Sequence, residues 1–188
     1  MTAPAKVLLP IAHGSESLET VTIVNVLRRA EIEVIVASIE SDLAVTGTRG
    51  VKLTADRRFV QTLDEKFELI VLPGGEKGAD ALSRHAPLIE KLEQQDEKGK
   101  WFAAICAAPA YVLAPHHFLG RRKATCYPAF KERIPHFVDE PVVIDGHCVT
   151  SQGPATAMSF ALKLAELLAG EAKAKQVAAG MLARSRDS

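Results

Sequence analysis

The stretch WFAAICAAPA, Trp101 to Ala110, changes character at its sixth residue. Trp101 to Ile105 is an unbroken apolar run, too short for a helix, which suits a strand buried on both faces. Cys106 then sits between small residues, and Pro109 stands where a following helix would begin. Similar short runs recur at Lys6–Ala12 (KVLLPIA), Glu33–Ile39 (EVIVASI) and Leu69–Pro73 (LIVLP). Amphipathic stretches separate them, over Glu16–Ala30, Leu88–Lys98, Thr156–Leu168 and Lys173–Leu182. Near the end, Val142–Ser151 reads as a hairpin turning at Asp145-Gly146. Ala44–Phe59, with glycines among β-branched residues, reads as extended excursions from the main sheet. Apolar strands without clean alternation, separated by helices, predict an α/β fold: a mostly parallel central sheet with helices on both faces. There is no repeat, linker or break in composition, so residues 1–184 are expected to form one domain, with 185–188 as a frayed tail.

Composition narrows the function. The 188 residues carry 23 Lys+Arg against 23 Asp+Glu, a balance that points to neither nucleic acid nor an anionic membrane. No apolar run approaches the roughly 20 residues of a membrane span, and the N-terminus lacks the pattern of a signal peptide. Three widely spaced cysteines suit a reducing compartment better than a disulfide framework, so a cytoplasmic protein is expected.

In a parallel sheet, ligands gather beyond the carboxyl ends of the strands. The segments found there are AHGSESLE, LPGGEKGA and AICAAPA. A sharp strand-to-helix turn holds a nucleophile in the open and needs small neighbours, which Cys106 has. The amides of the following helix would lower the pKa of its thiol. The alternative is a packed core cysteine.

Glu19 lies on an apolar arc with Ile23 and Val26, on a helix that Leu18, Val21, Val24 and Leu27 make largely apolar and therefore buried. A carboxyl there has a raised pKa and can exchange a proton with a thiol. The alternative is an ordinary first-turn glutamate favoured by the helix dipole, a role that suits Glu16 better, with Ser15 as N-cap. Gly74-Gly75 after the third strand lets backbone N–H groups approach a ligand, and with the Ala107 amide could form an oxyanion hole. The histidines have no zinc-ligand spacing, so no metal is expected. Arg121-Arg122-Lys123 reads as a solvated loop. Cys148 reads as a packing residue, and Cys126 as a partly exposed thiol.

Together AHGSESLETV, VLPGG, AAICAAP and TSQGPATAMSFAL resemble the ThiJ/PfpI superfamily, in the branch of the Parkinson-disease-linked protein deglycase and bacterial YajL. The resemblance spans nearly the whole chain. It implies a flavodoxin-like three-layer sandwich, a homodimer, and thiol chemistry without metal or organic cofactor. The reactive cysteine falls on Cys106 and the partner glutamate on Glu19. The attributed activities are a glyoxalase turning methylglyoxal into lactate, deglycation of glyoxal adducts on proteins, and a chaperone role linked to oxidative stress.

Three positions depart from the pattern. Ala107 replaces the histidine of the peptidase branch. Tyr127 stands where the deglycase branch often has histidine. Gln152 replaces an arginine before the late Gly-Pro, which leaves Arg49 as a candidate cation if its loop folds inward. The expected chemistry is addition of Cys106 to an α-oxoaldehyde, with Glu19 moving the proton and the amides of Gly75 and Ala107 holding the oxyanion. The alternatives are a redox-sensing chaperone using the same two residues, and an amidase or peptidase whose base lies elsewhere.

Overall fold

The structure, a computed structural model, describes residues 4–183. The tail expected at 185–188 lies outside the described residues.

The strands are β1 (Lys6–Ile11), β2 (Glu33–Ser38), β3 (Ala44–Thr46), β4 (Lys52–Thr54), β5 (Arg57–Arg58), β6 (Leu69–Leu72), β7 (Trp101–Ile105), β8 (Val142–Asp145) and β9 (Cys148–Ser151). The helices are α1 (Ser17–Arg29), α2 (Glu76–Ser83), α3 (Ala86–Glu97), α4 (Ala157–Ala169) and α5 (Glu171–Gly180). Seven strands form the central sheet in the order β5-β2-β1-β6-β7-β9-β8, parallel throughout except β8, which runs antiparallel to β9. Its inner order, β2-β1-β6-β7-β9, is that of flavodoxin-like sheets. Within Ala44–Phe59, expected as extended excursions from the main sheet, β3 and β4 pair as a separate antiparallel hairpin, whereas β5 joins the main sheet beside β2.

Two apolar layers explain why the strands show no alternation. Val7, Leu9, Val71, Ala103 and Ile105 pack on one face with Ile23, Val26 and Leu27 of α1 and Phe160 and Leu164 of α4. Leu8, Ile70, Leu72, Phe102 and Ala104 face the other way, onto Leu82 of α2 and Leu88 and Leu92 of α3. Successive side chains point to opposite faces, and both faces are dry.

Several expectations need correction. The hairpin turns one residue later, at Gly146-His147, because Asp145 is already paired with Cys148 and Gly146 supplies the positive φ of 60°. Helix α2 was not anticipated, since Gly78 interrupts its pattern. That glycine lets the helix sit against the β1–α1 loop, where a Cβ would stand 2.5 Å from the Ser15 nitrogen. Helix α3 begins two residues before Leu88, and α5 spans 171–180 rather than 173–182. The N-cap of α1 is Glu16, whose carboxylate accepts from the Leu18 N–H at 3.1 Å. Ser15 instead accepts from the Ala12 N–H and closes the loop beneath. Nor is α1 buried all round: Leu18 and Val21 are each 53% exposed.

Candidate active site

Strand β6 lies between β1 and β7, so the loops leaving these three strands meet at one end of the sheet. These loops and the first turn of α1 carry Glu19, Gly74-Gly75 and Cys106. Backbone bonds lock them together. The Glu16 N–H donates to the Gly74 carbonyl at 2.9 Å, and the Gly74 N–H donates to Glu19 Oε2 at 2.7 Å.

Cys106 has a φ of 63°, a left-handed conformation that costs a residue with a Cβ about 1–2 kcal/mol. Bonds on both sides hold it there. Its N–H donates to the Ser151 carbonyl at 3.0 Å, and its carbonyl accepts from the Tyr127 N–H at 2.8 Å. The chain then enters a single π-helical turn, Pro109–Leu113. Glycine is required opposite. A Cβ on Gly74 would stand 2.4 Å from Cys106 Cβ and 2.8 Å from Glu19 Oε2. Gly75 has a φ of 82°, and a Cβ there would lie 2.1 Å from the Gly14 carbonyl oxygen.

The Glu19 side chain is fully buried, and its Oε1 has no hydrogen-bond partner. Burial raises its carboxyl to about 7, against the opposing bonds from the Gly74 N–H and the Cys106 thiol. Burial also pushes the Cys106 thiol up, to about 12, and the Glu19 charge adds to this. The backbone N–H groups of Gly75 and Ala107 near the sulfur pull the other way. The expected lowering of the thiol pKa by a following helix is therefore corrected. One short π turn supplies too few aligned amides to offset desolvation. The resting pair is a thiol beside a carboxyl that changes charge near neutrality, the two so close that one Cβ on Gly74 would stand 2.8 Å from Glu19 Oε2 and 3.0 Å from Cys106 Sγ.

The remaining candidates fall around this centre at different depths. Glu16 caps α1 and faces partly to solvent. Tyr127 borders the elbow through its bond to Cys106, and its ring lies 3.4 Å from where a Cβ of Gly153 would stand. The loop carrying Arg49 folds against the segment that leads into α1, since the Thr48 N–H donates to the Ser15 carbonyl at 2.9 Å. Arg49 itself is exposed, with a φ of 57°. Gln152 donates to Asp139 Oδ1 at 2.7 Å. Cys126 is fully buried rather than partly exposed, and Cys148 is buried as well. Among the described residues, no three His, Cys, Asp or Glu side chains cluster as a metal ion requires. Sequence reasoning passed over Gly78, although its spacing from Gly74-Gly75 could have signalled it. It also passed over Tyr111, Phe130 and Arg133, for which no local pattern gives a signal.

The sequence pattern of the DJ-1/PfpI family matches residues 5–167 of this chain. The chain belongs to the DJ-1/PfpI family. Among relatives, it is 42% identical over 182 residues to Protein DJ-1 homolog B of Arabidopsis thaliana, covering 95% of this chain and 42% of that one. The chain thus spans less than half the length of that relative. It is 31% identical over 173 residues to the glutathione-independent glyoxalase DJR-1.2 of Caenorhabditis elegans, covering 90% of each. The solved structure of oxidized Toxoplasma gondii DJ-1 superposes with a TM-score of 0.93 at 42% identity, covering 95% of this chain and 98% of that one. A flavodoxin-like DJ-1 fold therefore holds the Cys106–Glu19 pair.

Proposed function

We propose that this DJ-1/PfpI chain is a thiol enzyme acting on α-oxoaldehydes or their adducts, converting methylglyoxal to lactate and releasing amines from glyoxal adducts. The observation that carries this is the pairing of Cys106 with a fully buried carboxyl whose charge changes near neutrality, the two brought together across Gly74. The relative named as a glyoxalase that works without glutathione supports the same reading.

Ionised Glu19 takes the thiol proton as Cys106 Sγ bonds to the aldehyde carbon. The carbonyl electrons move to oxygen, and the backbone N–H groups of Gly75 and Ala107, which favour negative charge beside the sulfur, receive the developing charge. Glu19 returns that proton to the alkoxide, giving the hemithioacetal, and is then free to take the proton on the former aldehyde carbon and deliver it to the neighbouring carbon, while the hydroxyl proton passes to the neighbouring oxygen, leaving a thioester of lactate. Water cleaves that ester, releasing lactate and restoring the thiol. The redox change is internal to the substrate, so the sequence of steps balances without a cofactor. On a glycated amine the same thiol attacks the adduct and the amine leaves. The free state of all three cysteines suits a reducing compartment such as the cytoplasm. None of the described helices is long and apolar enough to cross a membrane.

The test is methylglyoxal consumption without glutathione by wild type, Cys106→Ser and Glu19→Gln, measured side by side from pH 5 to 8. Wild-type activity should rise about tenfold per unit up to about pH 7 and then level, because the base must be ionised. Both variants should lose at least about 100-fold. A serine variant working at the wild-type rate would sink the reading.

A further inference from the structure

Residues 125–136 leave the fold and return to it at a single point. The Ala124 N–H donates to the His136 carbonyl at 3.1 Å, and the Val138 N–H donates back to the Ala124 carbonyl at 2.9 Å. A loop with pinned ends of this kind is a compact surface unit. Within it only Thr125, Cys126 and Ile134 are buried. So few buried contacts place it at the low end of local stability.

The loop meets the site through Tyr127, whose N–H is bonded to the carbonyl of the nucleophile itself. From Tyr127 the rings continue outward. Tyr127 and Phe130 are 6.0 Å apart between centroids, and Phe130 and Tyr111 are 5.2 Å apart, edge to face. Arg133, at the far side of the loop, stacks its guanidinium over Tyr111 at 4.4 Å and reaches Phe130 at 5.8 Å. Tyr111 belongs to the π turn behind Cys106, its N–H bonded to the Ala107 carbonyl at 2.9 Å. Its hydroxyl donates to Glu76 Oε1 at 2.5 Å, and Glu76 follows Gly75 directly. One arginine thus joins the 125–136 loop to the π turn behind Cys106 and, through Tyr111, to the start of α2.

We propose that Arg133 determines specificity: it latches the 125–136 loop onto Tyr111, and the latch limits the size of electrophile that reaches Cys106. A small aldehyde enters with the loop closed. An adduct carried on a protein side chain needs it open. The biological meaning rests on the thiol reading above, but access to the sulfur does not.

Two maleimides of equal chemistry and different size test this. N-ethylmaleimide and fluorescein-5-maleimide are reacted with the intact protein, and labelling is followed at the Cys106 peptide by mass spectrometry. A cation–π pair at a partly exposed ring biases an equilibrium by roughly two- to five-fold. Arg133→Ala should therefore speed the bulky reagent about three-fold, leaving the small one within about 1.5-fold. Tyr111→Leu should do the same, and Arg133→Lys should fall between, having the charge without the flat stack. An unchanged ratio between the reagents, or equal acceleration of both, overturns the latch. A protein that leaves methylglyoxal untouched yet shows the size effect would remove the catalytic reading and keep this one.

Discussion

Replacing Glu19 with glutamine removes the charge while keeping the shape, and its effect on stability can be worked out in advance. The carboxyl has an ordinary value of 4.5 in the unfolded chain and about 7 in the fold, mainly through burial. Between those values the folded protein keeps a proton that the unfolded chain has released. Wild-type stability therefore falls as pH rises, by about 1.4 kcal/mol per unit, and the loss ends near 7. The whole shift corresponds to about 3 kcal/mol, fully lost above pH 7. Glutamine has no such term. Denaturant melts of both proteins from pH 4.5 to 8 cancel the other titrating groups. The variant should gain about 3 kcal/mol on wild type across that range, or roughly 6–12 °C in melting temperature for a domain of this size. The amide left on Oε1's side adds an offset that does not vary with pH. A constant difference between the two proteins would show that Glu19 is not held as a neutral acid, and the proton-transfer argument would lose its base.

Three other outcomes follow from the geometry. Gly75→Ala places a Cβ 2.1 Å from the Gly14 oxygen at a φ of 82°, so it should destabilise the fold by about 3 kcal/mol; a melting point within a degree or two of wild type contradicts this. Mild peroxide should add oxygen first at Cys106, since Cys126 and Cys148 are 0% and 1% exposed. Peptide masses showing either buried cysteine oxidised first would leave a redox role at Cys106 without basis. Leu18 and Val21 on α1, beside a groove of about 530 Å³ that Leu53 also lines, leave an apolar face that a second copy of the chain would cover, as the homodimer implied by the family resemblance requires. Light scattering should show two chains for wild type and one for Leu18→Glu; a monomeric wild type rules the face out.

The layered sheet was legible because its cause is local. Runs such as KVLLPIA and WFAAI are apolar without alternation, and only strands covered on both faces tolerate that. The helix α2 and the hairpin register were not, because Gly78 and Gly146 act through what they touch or the turn they permit, not through a periodic pattern. The small residues around Cys106 announced a tight turn, and the apolar arc around Glu19 announced a buried carboxyl, since both are features of near neighbours in the chain. The direction of the thiol's shift could not be read this way. It depends on how much water the assembled loops exclude and on a carboxylate 87 positions away in sequence. Nor could the exposed face of α1, where Leu18 and Val21 look in sequence like the rest of a buried helix yet are each 53% exposed. The chain's own order of residues determined the fold class and both members of the acid–thiol pair, because hydrophobic period and turn chemistry act within a few residues. Tertiary structure alone decided the proton's resting place and the stacking of Arg133, Tyr111 and Phe130 beside the site, because desolvation and stacking arise only between segments that folding brings together.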